Sequence, residues 1–471
     1  MRAFRKWIVS NWILMLVGAL MARLFLAPHF FGFWYDMITF GRWGQTMLDY
    51  PLNQFYAVAP APDHLPGDLY LHGFLALIFQ ALGGENLEGS AYRFLLKAVP
   101  SLADIYVAAL IWLVIRRVAN EERARLAALF YAWNPATIFL SGVWGQWDVV
   151  SGFIMLLGLG IVWLRPSKWL FAIPILAWCV LIKPPMALLC VIGLLVIPLT
   201  DLRRGLSLIE VVRTRFRSVV AAAILGLGTI LLLILPFDVG FPGMGRRWSL
   251  LERINVAIDL YQNTTLGAAN IWMIPLRSPG RVSDQDEMFL GLTAQMVGNL
   301  LFGAALVYVA VIFIRKWKSI LPMTLTIWGM VMANYAYFLL PTRSHERYLF
   351  PAVMMIIVLW GCARPRPQLT WLATAVSMAY FFNILGVYLP MSGGGEDIWF
   401  VTVSVANILL FLVTASYPFW AESGPHQAEV AGTPMPVFAD DYEPGFVLAH
   451  NDATSATKHR RSQVRRGLPT F

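Results

Sequence analysis

The feature that most constrains this chain is the recurrence of long stretches without a single Asp, Glu, Lys or Arg. Windows at 7–22, 126–147, 218–237, 288–314, 319–342, 367–395 and 398–420 carry none. A bilayer-spanning helix needs roughly 20 mostly apolar residues. Two further windows, 94–115 and the one around Lys183, are broken by only one or two charges. Leu and Ile dominate them, with the interspersed Gly and Ala that favour close helix packing in lipid. The period-two alternation of a barrel is absent. Composition agrees: 58% of the 471 residues are hydrophobic and 13% charged, where a soluble domain runs near a quarter charged. The mean hydropathy of +0.63 excludes an ordinary cytosolic protein, a disordered chain and a collagen. Three cysteines, Cys179, Cys190 and Cys362, cannot staple this length and sit in apolar stretches as core residues. The expectation is an all-α polytopic membrane protein.

Lys and Arg concentrate on cytoplasmic loops of such proteins. Basic segments at 2–6, 116–125, 165–168, 203–217, 315–318 and 364–366 alternate with polar stretches at 28–93, 142–148, near 183, 238–287, 341–347 and 391–397. Placing the first set inside and the second outside gives about twelve spans (11–13), with both termini cytoplasmic. Residues 1–27 then form the first transmembrane helix. An outer loop follows at 28–93, in which 71–82 is too short to cross and reads as a re-entrant or interface-lying helix. Residues 94–420 form the helix bundle, with a second outer loop at 238–287. Residues 421–471 turn rich in Pro, Gly, Ser and mixed charge, which predicts a disordered cytoplasmic tail. The net charge of +9 is a topology signal and points to no nucleic acid.

Ionisable residues at a membrane edge are costly and mark function. Here they gather on the outer face. The first outer loop holds Asp36 immediately after Phe33-Trp34-Tyr35, then Asp63-His64 and Asp68-Leu69-Tyr70-Leu71-His72. The next group is Trp144-Gly145-Gln146-Trp147-Asp148, where a helix N-cap would account for Asp148 but not for Gln146. Lys183-Pro184-Pro185 breaks an apolar run with a cation. Arg343-Ser344-His345-Glu346-Arg347 opens another apolar run, and its two guanidiniums, four apart, would share a helix face and suit a phosphate. The loop at 238–287 adds Tyr261-Gln262-Asn263 and Asn270, amides beside aromatics that suit carbohydrate. No Walker or dinucleotide glycine motif is present, nor His/Cys spacing for a metal. Carboxylates, aromatics and cations on a face without nucleotides predict transfer of a sugar from a lipid-linked phosphate. A carboxylate takes the acceptor proton and Arg or Lys steadies the leaving phosphate.

These stretches resemble the GT-C superfamily of polyprenyl-phosphate-sugar-dependent glycosyltransferases, and within it bacterial relatives of the GPI-anchor mannosyltransferases. The likeness is carried by Asn134-Pro135 through Trp144-Gly145-Gln146-Trp147-Asp148, by Ile182-Lys183-Pro184, and by His345-Glu346-Arg347-Tyr348-Leu349-Phe350-Pro351, in the family's order, over about 30–360. It implies an inverting transfer of a hexose, mannose by preference, from a polyprenyl-phosphate carrier to a glycan, glycolipid or protein hydroxyl. No cofactor is implied and no metal is usual, a divalent ion being left open. The membrane would be a bacterial plasma membrane, or the ER membrane in a eukaryote, with the site on the non-cytoplasmic face. Asp36 maps onto the family's catalytic base, and Asp148 is the second catalytic candidate. Gln146, Trp147, Lys183, His345, Glu346, Arg347, Asn270, Asp68 and His72 are the substrate-binding candidates. The family often has Lys-Pro-Gln where this chain has Lys183-Pro184-Pro185. The alternatives are a transporter or flippase of a polyprenyl-linked sugar, and a polymerase or ligase of cell-envelope glycans.

Overall fold

The computed structural model describes residues 2–276, 282–389 and 395–421; the expected tail and most of the turn at 391–397 lie outside the described residues. What is described is almost wholly helical, with two short two-stranded pairs, one inside 238–287 and one at 287–293. Six helices are long and apolar enough to cross a membrane: Ser90–Val118, Met186–Arg203, Leu208–Phe237, Ala294–Lys316, Pro367–Tyr388 and Ile398–Trp420. A seventh arises if Glu121–Ala132 and Pro135–Trp144, bent by 46°, act as one span. This is a multi-pass membrane protein.

The expected count of about twelve is not reached among the described residues. Two of the uncharged windows are cut into shorter helices, 7–22 at Asn11 and 126–147 at Asn134-Pro135. Trp12–Leu26 is only 15 residues long and is separated at Asn11 from the preceding helix Arg2–Ser10. At 1.5 Å per residue it reaches about 22 Å, short of a core of roughly 30 Å. Pro322–Leu339 and Phe350–Cys362 form the buried centre, shielded along nearly their whole length. The Thr, Tyr and Asn residues of the first lower its hydropathy, and the second has 13 residues. At the opposite extreme, Leu208–Ile234 buries only Val211 and Ile234 and offers Ile224 and Leu232 outward. Such an apolar exterior is what a helix facing lipid requires.

A buried ion pair locks three helical segments together. Arg23 and Asp104 are both fully buried, with Arg23 Nε 3.0 Å from Asp104 Oδ2. A charge this deep is tolerable only when every donor and acceptor is met. Arg23 donates to the carbonyls of Ala19 and Ala132 and to Thr137 Oγ1, while Tyr131 and Ser141 donate to the Asp104 carboxylate at 2.6 Å each. The clamp joins Trp12–Leu26, Ser90–Val118 and the bent segment through 144, which fixes where the Trp144–Asp148 turn emerges.

The segment at 71–82 belongs to a helix, Pro66–Ala81, packed against Trp34–Asp49 and Ala172–Ile182. The loop at 238–287 folds back over the bundle. Val239–Gly240 pairs in parallel with Trp248–Ser249, and Leu250–Asp259 starts from a Ser249/Glu252 capping box. Leu266 and Gly267 bridge to His345, which brings the loop onto the 341–348 corner.

Candidate active site

Asp36 stands in the first turn of Trp34–Asp49, and the chain is pinned on its way in. The Lys97 ammonium donates to the carbonyls of Ala27 at 2.9 Å and Phe30 at 2.5 Å. Phe33 N–H donates to Trp144 O at 3.1 Å, and the two rings stack with centroids 5.1 Å apart. Gly32 turns with φ +92°, and a Cβ there would come within 2.8 Å of Trp144 O. The base candidate is thereby tied to the Trp144–Asp148 turn.

That turn is wound in an unusual way. Asn134 caps a short helix, Pro135–Ile138, through Ala136 N–H. The helix then widens into a π-turn, Phe139–Trp144, whose Leu140 carbonyl accepts from both Gly145 and Gln146 N–H. Such π-turns cluster at functional sites. Gly145 leaves it with φ +86°, and a Cβ there would sit 2.9 Å from both Lys97 Cγ and Met37 Cε. The result points the Gln146 amide at Asp36, to whose Oδ2 it donates a hydrogen bond. Trp147 donates to Leu96 O and packs against His72. Asp148 begins Asp148–Leu164, but Trp147 holds the N-cap position and makes no side-chain cap bond. The capping explanation of Asp148 therefore does not apply.

Instead, Asp148 holds the cations. Its Oδ2 lies 3.3 Å from Lys183 Nζ and 3.7 Å from Arg347 Nε. Lys183 ends Ala172–Ile182 in extended conformation, as the two following prolines require. Arg347 Nη1 is 2.9 Å from Glu346 Oε1 and donates to His345 Nδ1 at 3.3 Å. The expected pairing of Arg343 with Arg347 on one helix face is not found, because helix starts only at Glu346. Arg343 has φ +61° and turns to Asp284 at 2.7 Å and Asp259 at 2.8 Å, anchoring the 238–287 loop.

A cavity of about 1130 Å³ opens between these elements, walled by Asp36, Lys183, Tyr261, His345, Glu346 and Arg347 among others. Burial raises the Asp36 carboxyl above its ordinary value, with the Arg347 charge opposing. Burial also pushes Glu346 upward, but Arg347 and His345 outweigh it and hold the carboxyl at about 2. Burial and then Arg347 keep His345 below its ordinary value, so the ring is neutral. The cavity can thus present a carboxylate of raised basicity across from fixed cations.

Of the expected residues, Asp36, Lys183, His345, Glu346 and Arg347 reach the cavity wall. Gln146, Trp147 and Asp148 are buried behind it and act through Asp36, Lys183 and Arg347. Asn270 is fully buried, and its Oδ1 accepts from Trp272 N–H, which holds the outer loop rather than facing the cavity. Asp68 and His72 also lie behind the wall, with His64 between them and the cavity. His64, named in the first loop but not among the substrate-binding candidates, also reaches the wall, and its spacing to Asp68 and His72, four and eight residues on, was the signal to group it with them.

No family model and no curated protein matches the chain. Among solved structures it is similar to the Archaeoglobus fulgidus oligosaccharyltransferase in the apo form, at 14% identity and a TM-score of 0.36, covering 90% of this chain and 60% of that one. It is also similar to the archaeal oligosaccharyltransferase AglB from the same organism, in complex with an inhibitory peptide and a dolichol-phosphate, at 14% identity and a TM-score of 0.38. There the match covers 92% of this chain and 61% of that one. The chain thus spans about three fifths of the length of these structures, and likeness at this level identifies no family.

Proposed function

We propose that the chain is a membrane glycosyltransferase that moves a hexose, mannose by preference, from a polyprenyl-phosphate carrier to a hydroxyl acceptor, with inversion. One observation carries the reading: the Asp36 carboxylate and the Lys183 and Arg347 cations wall the same cavity. A hydroxyl acceptor needs a base, and a departing lipid phosphate needs positive charge where its own charge develops. The acceptor oxygen attacks the anomeric carbon and passes its proton to Asp36. The bond from that carbon to the phosphate oxygen breaks, and its electron pair leaves with the phosphate toward Lys183 and Arg347.

Gln146 orients Asp36 by occupying one carboxylate oxygen, which leaves the other for the acceptor. Asp148 pairs with both cations from behind the cavity wall, without reaching the substrate. His345 and Tyr261, whose rings meet edge to face, supply a partly apolar wall against which a sugar ring can pack. The transport alternative needs a charge stranded in the membrane, whereas Lys183 is paired with Asp148 at the cavity.

The test is to supply purified protein in lipid with a panel of polyprenyl-phosphate sugars and hydroxyl acceptors and to follow donor consumption. Donor consumed only in the presence of acceptor, and lost in Asp36→Asn, is the expected result. Movement of an unconsumed donor across a sealed vesicle would replace transfer with transport.

A further inference from the structure

We propose that His64, Asp68 and His72 form a site for a divalent transition metal, zinc by its donor chemistry, set directly behind the cavity wall. The three come from one short stretch. His64 precedes Pro66–Ala81 and joins it through Leu65, which is extended at φ −84°, ψ 163°. Asp68 lies in the first turn and His72 one turn on, so the two share a helix face. His64 doubles back to the same place.

The donor atoms converge. One ligand atom from each residue lies within 4.8 Å of the others. His72 Nε2 is 3.3 Å from Asp68 Oδ2, without the geometry of a hydrogen bond. Zinc bonds of about 2.0–2.2 Å in a tetrahedron place neighbouring donors roughly 3.3–3.5 Å apart, which is this separation. His64 and Asp68 stand closer, joined by a hydrogen bond from His64 Nδ1. Two imidazoles and one carboxylate suit zinc and leave a fourth position for water.

Unmet polar atoms supply an independent reason. His72 is fully buried and Asp68 is 1% exposed, yet both ring nitrogens of His72 and Asp68 Oδ1 have no hydrogen-bond partner among the described residues. Around them stand aromatic rings: Phe40 is stacked 4.4 Å from the His72 ring, Trp147 lies at 4.2 Å and Trp43 at 5.9 Å. A buried imidazole whose nitrogens meet no well-formed hydrogen bond, with only the Asp68 carboxylate beside it among aromatic rings, is an arrangement native folds avoid. A cation gives one of those nitrogens and the carboxylate a shared partner.

The placement assigns the ion a positioning task. Trp147, which rests on His72, stands between Gln146 and Asp148, while Phe40 belongs to the Asp36 helix. An ion at this point would fix Pro66–Ala81 against both halves of the reaction site.

The experiment measures metal on the full-length protein, purified in detergent without a histidine tag. Elemental analysis should find about one zinc per chain. Cobalt exchanged in its place should show the intense visible absorption of a tetrahedral nitrogen–oxygen site. His72→Ala and Asp68→Ala should lose both signals. Because those residues are buried and the variants can unfold, His64→Gln, at the more open member, serves as the second test. It should fold, bind zinc at least about tenfold more weakly, and lose the rise in melting temperature that zinc gives the parent protein. Metal content below about 0.1 per chain after dialysis against buffered zinc, or equal content in the parent and His64→Gln proteins, would overturn the assignment. None of these readouts depends on sugar transfer.

Discussion

Gln146 donates a hydrogen bond to Asp36 across 110 positions of sequence, joining the base candidate directly to the turn after the bent helix. The two lie at the start of different helices and are brought together by Lys97, Phe33 and the two glycines that flank the junction. Orientation of the base is therefore a property of the turn, not of the loop that carries it.

Asp36→Asn keeps the shape and the bond to Gln146 but removes the proton acceptor. Transfer from polyprenyl-phosphate sugar should fall by about 10²–10⁴-fold with the melting temperature little changed. Radiolabel transfer in reconstituted vesicles checks this, and near-parental turnover would eliminate Asp36 as base.

Gln146→Ala removes an orienting contact and leaves the base in place. A hydrogen bond from a neutral amide to a carboxylate corresponds to roughly a tenfold or greater loss in rate. The loss should fall on kcat with the donor KM preserved, as steady-state kinetics can separate; a pure KM effect would contradict an orienting role.

Arg347 and Arg343 should separate cleanly despite lying in one short segment. Arg347→Ala should weaken donor affinity by about tenfold or more, since a charged hydrogen bond to phosphate is lost. Arg343→Ala frees Asp284 and Asp259, so limited proteolysis should cut the outer loop faster while donor affinity stays nearly constant. Equal loss of affinity in both would place Arg343 on the donor.

Asp148→Asn leaves two cations without their shared counter-charge. With side chains 3%, 15% and 13% exposed for Asp148, Lys183 and Arg347, the group is largely desolvated. Breaking such a buried pair costs about 3 kcal/mol, which should appear as a lower melting temperature together with weaker donor binding. A protein of unchanged stability would show that the cations are solvated.

Two carboxyls give opposite pH signatures. Glu346 is held at about 2 against an ordinary 4.5, so its contribution to stability is complete above 4.5 and is lost as pH falls toward 2. Asp36 is raised above its ordinary 3.8, so its contribution is complete below 3.8 and declines as pH rises through the raised value. Activity moves the other way, because the base must be ionised. The acid limb of kcat/KM should lie above 3.8 and should vanish in any residual activity of Asp36→Asn.

The membrane class was legible in the sequence, and so were five charged or titratable residues that the fold brings to the cavity wall, Asp36, Lys183, His345, Glu346 and Arg347. They depend on local properties: charge-free runs that must avoid water, and ionisable residues too costly to leave at a membrane edge without purpose. The number of spans was not legible. Charge-free runs do not register that Asn11 interrupts the first of them, or that the centre of the bundle is formed by helices too polar or too short to count as spans by length and hydropathy. The roles of Asp148, Arg343 and His64 were equally hidden. Each is set by partners far off in the chain or by a turn direction: Lys183 and Arg347 for Asp148, a left-handed backbone and Asp284 for Arg343, and a helix start that folds His64 back over Asp68 for the third. Local chemistry says what a residue can do, but only packing decides which other residues it meets, and a catalytic cavity consists of those meetings.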